Sequence, residues 1–268
     1  MLEDDEIAAF VRDGYVVVQS AVPTGIMEEC RREVAADLLA RGIAWDDAST
    51  WQRPVERIPC PESPAFEAAG TQPILWSAYD QLLTPGSWWR RPGVGGTIPV
   101  RFPHPDDPGD AGWHMDGSFQ HEGEDGYWIN LRSRDRGLLL LFLLTDVGPD
   151  DAPTEIKVGS HLDVPGLVEP LGDTGASFAT VSHLLPTTTL DRPSAFATGR
   201  AGDVYICHPF LVHRATWPHR GRHPRAVAQP GVHIHEPFGL DEQSACPVER
   251  AILLGLGGTR SEARPGGH

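Results

Sequence analysis

Apolar residues recur at two periods along this chain, and the changes of period mark its elements. Between Pro23 and Leu39 they fall at Ile26, Cys30, Val34 and Leu38, a spacing of four that keeps them on one side of a helix. Tyr15 to Gln19 reads as a short strand, and Asp4 or Asp5 is placed to cap a helix running through Val11. Gly137 to Leu144 has no polar side chain. It reads as a central strand buried on both faces and is far too short to span a bilayer. Ile98 to Phe102, Val204 to Cys207 and Arg225 to Ala228 read as further strands, with a polar loop from Trp217 to Pro224 before the last. Between Ala44 and Gly96, Trp45, Trp51, Trp76, Trp88 and Trp89 sit among prolines, and this stretch is assigned mainly to helix and loop covering the core. The expected organisation is one domain over 1–268, with a largely helical cover over 1–96, a β core over 97–256 and a loose tail over 257–268.

Composition narrows the class. The 268 residues include 29 Gly and 25 Pro, which suits a fold with many turns, and the length is enough to bury a cavity. Cys30, Cys60, Cys207 and Cys246 are scattered without a C-x-x-C pair and need no disulfide framework. The first six residues, Met1-Leu2-Glu3-Asp4-Asp5-Glu6, are acidic where a secretory leader is basic, so the expected location is cytoplasmic, with no membrane partner. A net charge of −15 speaks against nucleic acid, whose phosphates need a basic surface. A small-molecule substrate is the expected partner, and the sequence does not address oligomeric state. Lys157 is the only lysine, and no function is drawn from it.

The candidate chemistry begins at Gly112-Trp113-His114-Met115-Asp116-Gly117. On extended backbone, residues i and i+2 share a face, so His114 and Asp116 can grip one metal ion. A second histidine would complete a 2-His-1-carboxylate triad, which leaves coordination positions open on non-heme Fe(II). An H-x-D tripeptide alone is weak, and its ordinary reading is a surface turn. His213 supplies the missing histidine, about 100 residues on and in β-rich sequence. Arg225 opens an apolar strand just after the following loop, where pairing with the strand of His213 would turn it into the same cavity. A buried guanidinium there suits a dicarboxylate such as 2-oxoglutarate. His208 with Arg220 repeats the His213-to-Arg225 spacing, but Arg220 lies in the most polar part of the loop. His161, His219, His223, His233 and His235 read as loop or surface residues.

These motifs, in this order, make the chain resemble the phytanoyl-CoA dioxygenase family of Fe(II)- and 2-oxoglutarate-dependent oxygenases. The likeness runs from Asp13-Gly14-Tyr15-Val16-Val17-Val18 through His114-Met115-Asp116, Leu141 to Val147, and Val158-Gly159-Ser160-His161. It continues to Gly202-Asp203, His213 and Arg225. The resemblance implies a mainly β fold with flanking helices, a double-stranded β-helix of jelly-roll, cupin-like form. It implies Fe(II), 2-oxoglutarate as cosubstrate and O2. It also implies His114, Asp116 and His213 as metal ligands, and Arg225 on the far carboxylate of 2-oxoglutarate. The implied reaction is hydroxylation of an unactivated C–H bond, with desaturation or epoxidation left open. Asp116 disfavours halogenation, because the related halogenases lack that carboxylate. The chain departs from the family at Ala215, where a serine hydroxyl often helps hold the cosubstrate, which leaves Thr154 or Thr216 to serve. Arg101 is a further cosubstrate candidate, and Trp128, Asn130, Ser118 and Phe119 are substrate candidates. Two rivals remain: a Zn hydrolase on the same triad and a non-catalytic small-molecule-binding protein.

Overall fold

A computed structural model describes the backbone of residues 1–262 and side chains of residues 1–257. The chain runs through α1 (Asp4–Asp13), β1 (Tyr15–Val18), α2 (Thr24–Ala40), β2 (Val55–Pro59), α3 (Pro64–Gly70), α4 (Pro73–Leu82) and β3 (Thr97–Arg101). It continues with β4 (Trp128–Ile129), β5 (Leu138–Leu143), β6 (Glu155–Lys157), α5 (Val164–Val168), β7 (Ala176–Ser177), α6 (Phe178–His183) and α7 (Thr187–Leu190). Last come β8 (Ser194–Phe196), β9 (Val204–Cys207), β10 (His213–Arg214), β11 (Arg225–Ala228), β12 (Gly231–Val232) and α8 (Pro247–Glu262). Seven strands form the larger sheet, in the order β1-β9-β5-β11-β3-β2 with β12 also on β5. A smaller sheet has the order β10-β6-β8. Every pairing between named strands is antiparallel.

The parity of β5 explains the layers. All six of its residues are buried because both faces are covered. Leu138, Leu140 and Phe142 join the cluster of Met27, Val34 and Trp88 under the helical cover, whereas Leu139, Leu141 and Leu143 join Ile156, Tyr205, Cys207 and Val227 between the sheets. On β11 the same alternation sends Ala226 and Ala228 toward the helices and Val227 inward, so Arg225 also points between the sheets. This mainly β core with flanking helices is a double-stranded β-helix.

Four sequence expectations change. The first 96 residues are more than a helical cover, since β1 and β2 form the two edges of the larger sheet. Glu3, rather than Asp4 or Asp5, caps α1, through a reciprocal capping box with Glu6. On α2 it is Met27, not Ile26, that is buried with Cys30, Val34 and Leu38. The expected tail is helical through Glu262, because α8 buries Val248, Ala251 and Ile252 and packs on α1 and α5; residues 263–268 lie outside the described ones. Among the described residues, no helix is long and apolar enough to cross a membrane.

Candidate metal centre

His114 and His213 are held together by backbone before any ligand is considered. His114 N–H donates to His213 C=O at 3.0 Å and His213 N–H to His114 C=O at 2.8 Å, an isolated antiparallel bridge rather than the full strand expected for H-x-D. The expected parity survives: Met115 is buried in the opposite direction, and ligand atoms of His114, Asp116 and His213 lie within 4.8 Å of one another. Each ring is oriented by its own chain. His114 Nδ1 lies 2.8 Å from Gly112 O and His213 Nδ1 3.0 Å from Leu211 O. A carbonyl can only accept, so both Nδ1 atoms carry the proton and both Nε2 lone pairs are free. Each Nε2 stands 3.9 Å from the same Asp116 Oδ1, too far for a hydrogen bond but suited to a shared ion between them.

Electrostatics keep Asp116 and His213 in ligand form. Burial pushes the Asp116 carboxyl up, but His213, Arg136 and His114 outweigh it and hold it below the usual carboxylate range. Burial, then His114, lowers the His213 imidazole. Arg136 Nη1 lies 3.2 Å from Asp116 Oδ2, leaving Oδ1 to face the two rings. The Cys207 thiol, also near Asp116, is driven far up by burial and remains protonated. Trp113 anchors the segment: Arg214 lies over its ring at 4.3 Å and Lys157 at 4.8 Å, while Arg214 Nε donates to Glu155 Oε2 at 2.8 Å.

Arg225 reaches the inter-sheet space by a different route from the one expected. Its strand does not neighbour that of His213: β10 pairs with β6, whereas β11 lies between β5 and β3. The loop between them carries the chain from the smaller sheet to the larger one, and Arg225 reaches back, Nη2 donating to Thr154 Oγ1 at 2.8 Å. In the ladder its partner is Arg101. Burial, then the charge of Arg101, pushes the Arg225 guanidinium down to about 9. Arg101 Nη2 donates to Asp110 Oδ2 at 2.7 Å, and Arg57 shares that oxygen. Even so, the Nε atoms of Arg101 and Arg225 are buried without a partner. His219 and His161, expected in loops or at the surface, are 6 % and 0 % exposed, and His219 Nε2 is also unpartnered among the described residues. The Thr216 hydroxyl is already used, donating to Pro153 O at 2.7 Å.

A cleft of about 360 Å³ opens beside Asp116, lined by Ser118, Tyr127, Arg136, Gln229 and His233 among others. Phe119 lines its outward continuation. Trp128 bridges Phe119 through backbone and sets its ring edge-on to His121, while Asn130 donates to Asp173 O at 2.9 Å; neither lines this cleft. Arg136 and Arg91 had no sequence signal beyond a charge just before an apolar run and one in a Pro-Gly loop. A larger cavity, about 910 Å³ between α1 and α8, is lined by none of the candidate residues.

A family model described as phytanoyl-CoA dioxygenase (PhyH) matches residues 10–227. The chain belongs to the phytanoyl-CoA dioxygenase family. No curated protein matches it significantly by sequence. Among solved structures, it resembles the non-heme α-ketoglutarate-dependent epimerase SnoN from nogalamycin biosynthesis, with a TM-score of 0.58 and 21 % identity over 86 % of this chain and 82 % of that one. The carbocyclase SnoK, from the same biosynthesis, gives a TM-score of 0.56 and 19 % identity over 87 % and 84 %. HygX from Streptomyces hygroscopicus, crystallised with nickel, 2-oxoglutarate and hygromycin B, gives 0.55 and 15 % over 87 % and 88 %. At these identities the likeness is one of fold.

Proposed function

We propose that this family member is an Fe(II)- and 2-oxoglutarate-dependent oxygenase that hydroxylates an unactivated C–H bond of a small organic molecule. The observation that carries the reading is the convergence of two free Nε2 lone pairs and one carboxylate oxygen, with both Nδ1 atoms pinned to backbone carbonyls. Two nitrogens and one oxygen on one side of an ion suit non-heme Fe(II) and leave positions open. The buried, under-partnered guanidiniums of Arg225 and Arg101 suit a dicarboxylate; Arg225 with Thr154 would hold its far end. HygX, similar in fold, was crystallised with nickel and 2-oxoglutarate.

When bound, iron and 2-oxoglutarate supply the oxygen-activating chemistry, with succinate and CO2 as co-products. The protein's share is geometric. His114 and His213 present fixed lone pairs, Asp116 is kept ionised, and Arg136 fixes which of its oxygens faces the rings. Ser118 and Phe119 closely follow the ligand pair and line the path by which substrate would approach. A Zn hydrolase would use the same three ligands but would leave the buried charge of Arg225 without an anion, as would a non-catalytic cavity for a neutral ligand. The test is anaerobic titration of the Fe(II)-loaded protein with 2-oxoglutarate. A visible charge-transfer band is expected, and its absence with iron demonstrably bound would overturn the oxygenase reading.

A further inference from the structure

We propose that the cleft beside Asp116 selects a substrate carrying an oxyanion, carboxylate or phosphate, which it holds between Arg91 and Arg136. The inference rests on the oxygenase reading of the adjoining metal centre. The inner compartment of about 360 Å³ and an outer one of about 470 Å³ share Arg91, Ser118, Tyr127, Gly231 and His233, and so form one path from the surface to Asp116. Within the inner compartment two guanidiniums face one carboxylate, that of Asp116. Asp135 joins only in the outer part. Once a divalent ion and a dianionic cosubstrate have cancelled each other, the inner wall keeps a surplus of positive charge. This is unexpected in a chain of net charge −15.

Both arginines have donors to spare. Arg136 Nη1 lies 3.2 Å from Asp116 Oδ2, but its Nε is buried without a hydrogen-bond partner among the described residues. Among the described residues, Arg91 pairs with no carboxylate. Each also lies over a glycine. Arg136 Nε is 3.0 Å from where a Cβ on Gly231 would stand, and Arg91 Nη1 overlaps the place of a Cβ on Gly95. The backbone thus makes room for the two side chains to lie along the wall. Between them, His233 is lowered by burial and then by Arg91 and Arg136, so it serves as a neutral partner, not a third cation. Exposed Trp89 and Tyr127 at the rim offer flat apolar contact to the rest of the molecule. A guanidinium fork recognises carboxylate and phosphate alike and repels a cationic substrate.

The test is calorimetric titration of the Ni(II)- and 2-oxoglutarate-loaded protein with 3-phenylpropionate, 2-phenylethyl phosphate and 3-phenylpropionamide. The first two share an oxyanion, and the third is the neutral match of the first. At least one oxyanion is expected to bind about tenfold or more tightly than the amide, since a charged hydrogen bond is worth about that much. Which of the two binds names the source of the oxyanion. Arg91→Gln, at an exposed position, is expected to cut the preference to about threefold or less, as is Arg136→Gln. Equal binding of acid and amide, no binding of either oxyanion, or a preference unchanged in Arg91→Gln would overturn the assignment. Titration of 2-oxoglutarate into the same Ni(II) samples separates the two failures. If it does not bind, the oxygenase reading falls, and the three probes, run on metal-free protein, still judge the cleft.

Discussion

His208 and His213 are both buried and only five residues apart, yet their ring nitrogens are committed differently. His208 spends both: Nε2 lies 3.2 Å from Val248 O, and Nδ1 accepts from Phe210 N–H at 3.1 Å. His213 spends only Nδ1, on Leu211 O, and turns Nε2 toward Asp116. His213→Ala is therefore expected to abolish iron binding. His208→Ala should keep iron affinity within about threefold while losing on the order of 1–3 kcal/mol of stability, because it strands Val248 O and Phe210 N–H. Iron content after desalting and urea midpoints measure both, and equal iron loss in the two variants would overturn the ligand choice. The His114 and Asp116 pairing was legible because parity acts within three residues. What separates His213 from His208 is which carbonyl each ring meets, and that leaves no trace in the sequence.

The same distinction holds among the elements. Strands β5, β9 and β11 were legible because burial on both faces demands apolar side chains at nearly every position. Strand β2 was not: it is an edge, Val-Glu-Arg-Ile-Pro, with only Ile58 buried. Helix α8 was obscured by its glycines, yet Gly255 is required, since a Cβ there would stand 2.5 Å from Leu162 O. The turn at His161, read as loop or surface, is a buried junction of elements. His161 Nε2 bonds Val11 O of α1, and its ring lies 4.8 Å from that of His208, which bonds Val248 O of α8. Burial pushes His161 down to about 4 and lowers His208 also. A folded value below the unfolded one means that the unfolded chain takes the proton first. The stability is thus complete above about pH 6.5 and is lost as pH falls toward 4. A depression of this size corresponds to roughly 3 kcal/mol from His161 by pH 4. Urea unfolding of the wild type between pH 7 and 4.5 is expected to fall more steeply than that of His161→Asn, with the variant less stable at pH 7. Parallel slopes would remove His161 from the account.

At the scale of the whole molecule, the two sheets divide the labour: the smaller carries His213 and leads in from Thr154, and the larger carries Arg225 and Arg101. In a chain of net charge −15, Arg225 and Arg101 are buried with unpartnered Nε atoms, and a buried cation short of partners opposes folding until an anion arrives. Ligand loading should therefore register as global stability. Ni(II) and 2-oxoglutarate, each at about one hundred times its dissociation constant, are expected to add about 2.7 kcal/mol apiece. For a chain of this size that is roughly 5 °C or more in Tm for each ligand. Arg225→Gln should keep the nickel increment and lose most of the 2-oxoglutarate increment. Without ligands it should melt no lower than wild type, because it removes a buried charge that faces Arg101 and whose hydrogen bond to Thr154 is made by Nη2 alone. Differential scanning calorimetry separates these quantities. A variant that keeps the full 2-oxoglutarate increment would show that the far carboxylate is held elsewhere, and a much lower ligand-free Tm would show that Arg225 serves the fold before it serves the cosubstrate.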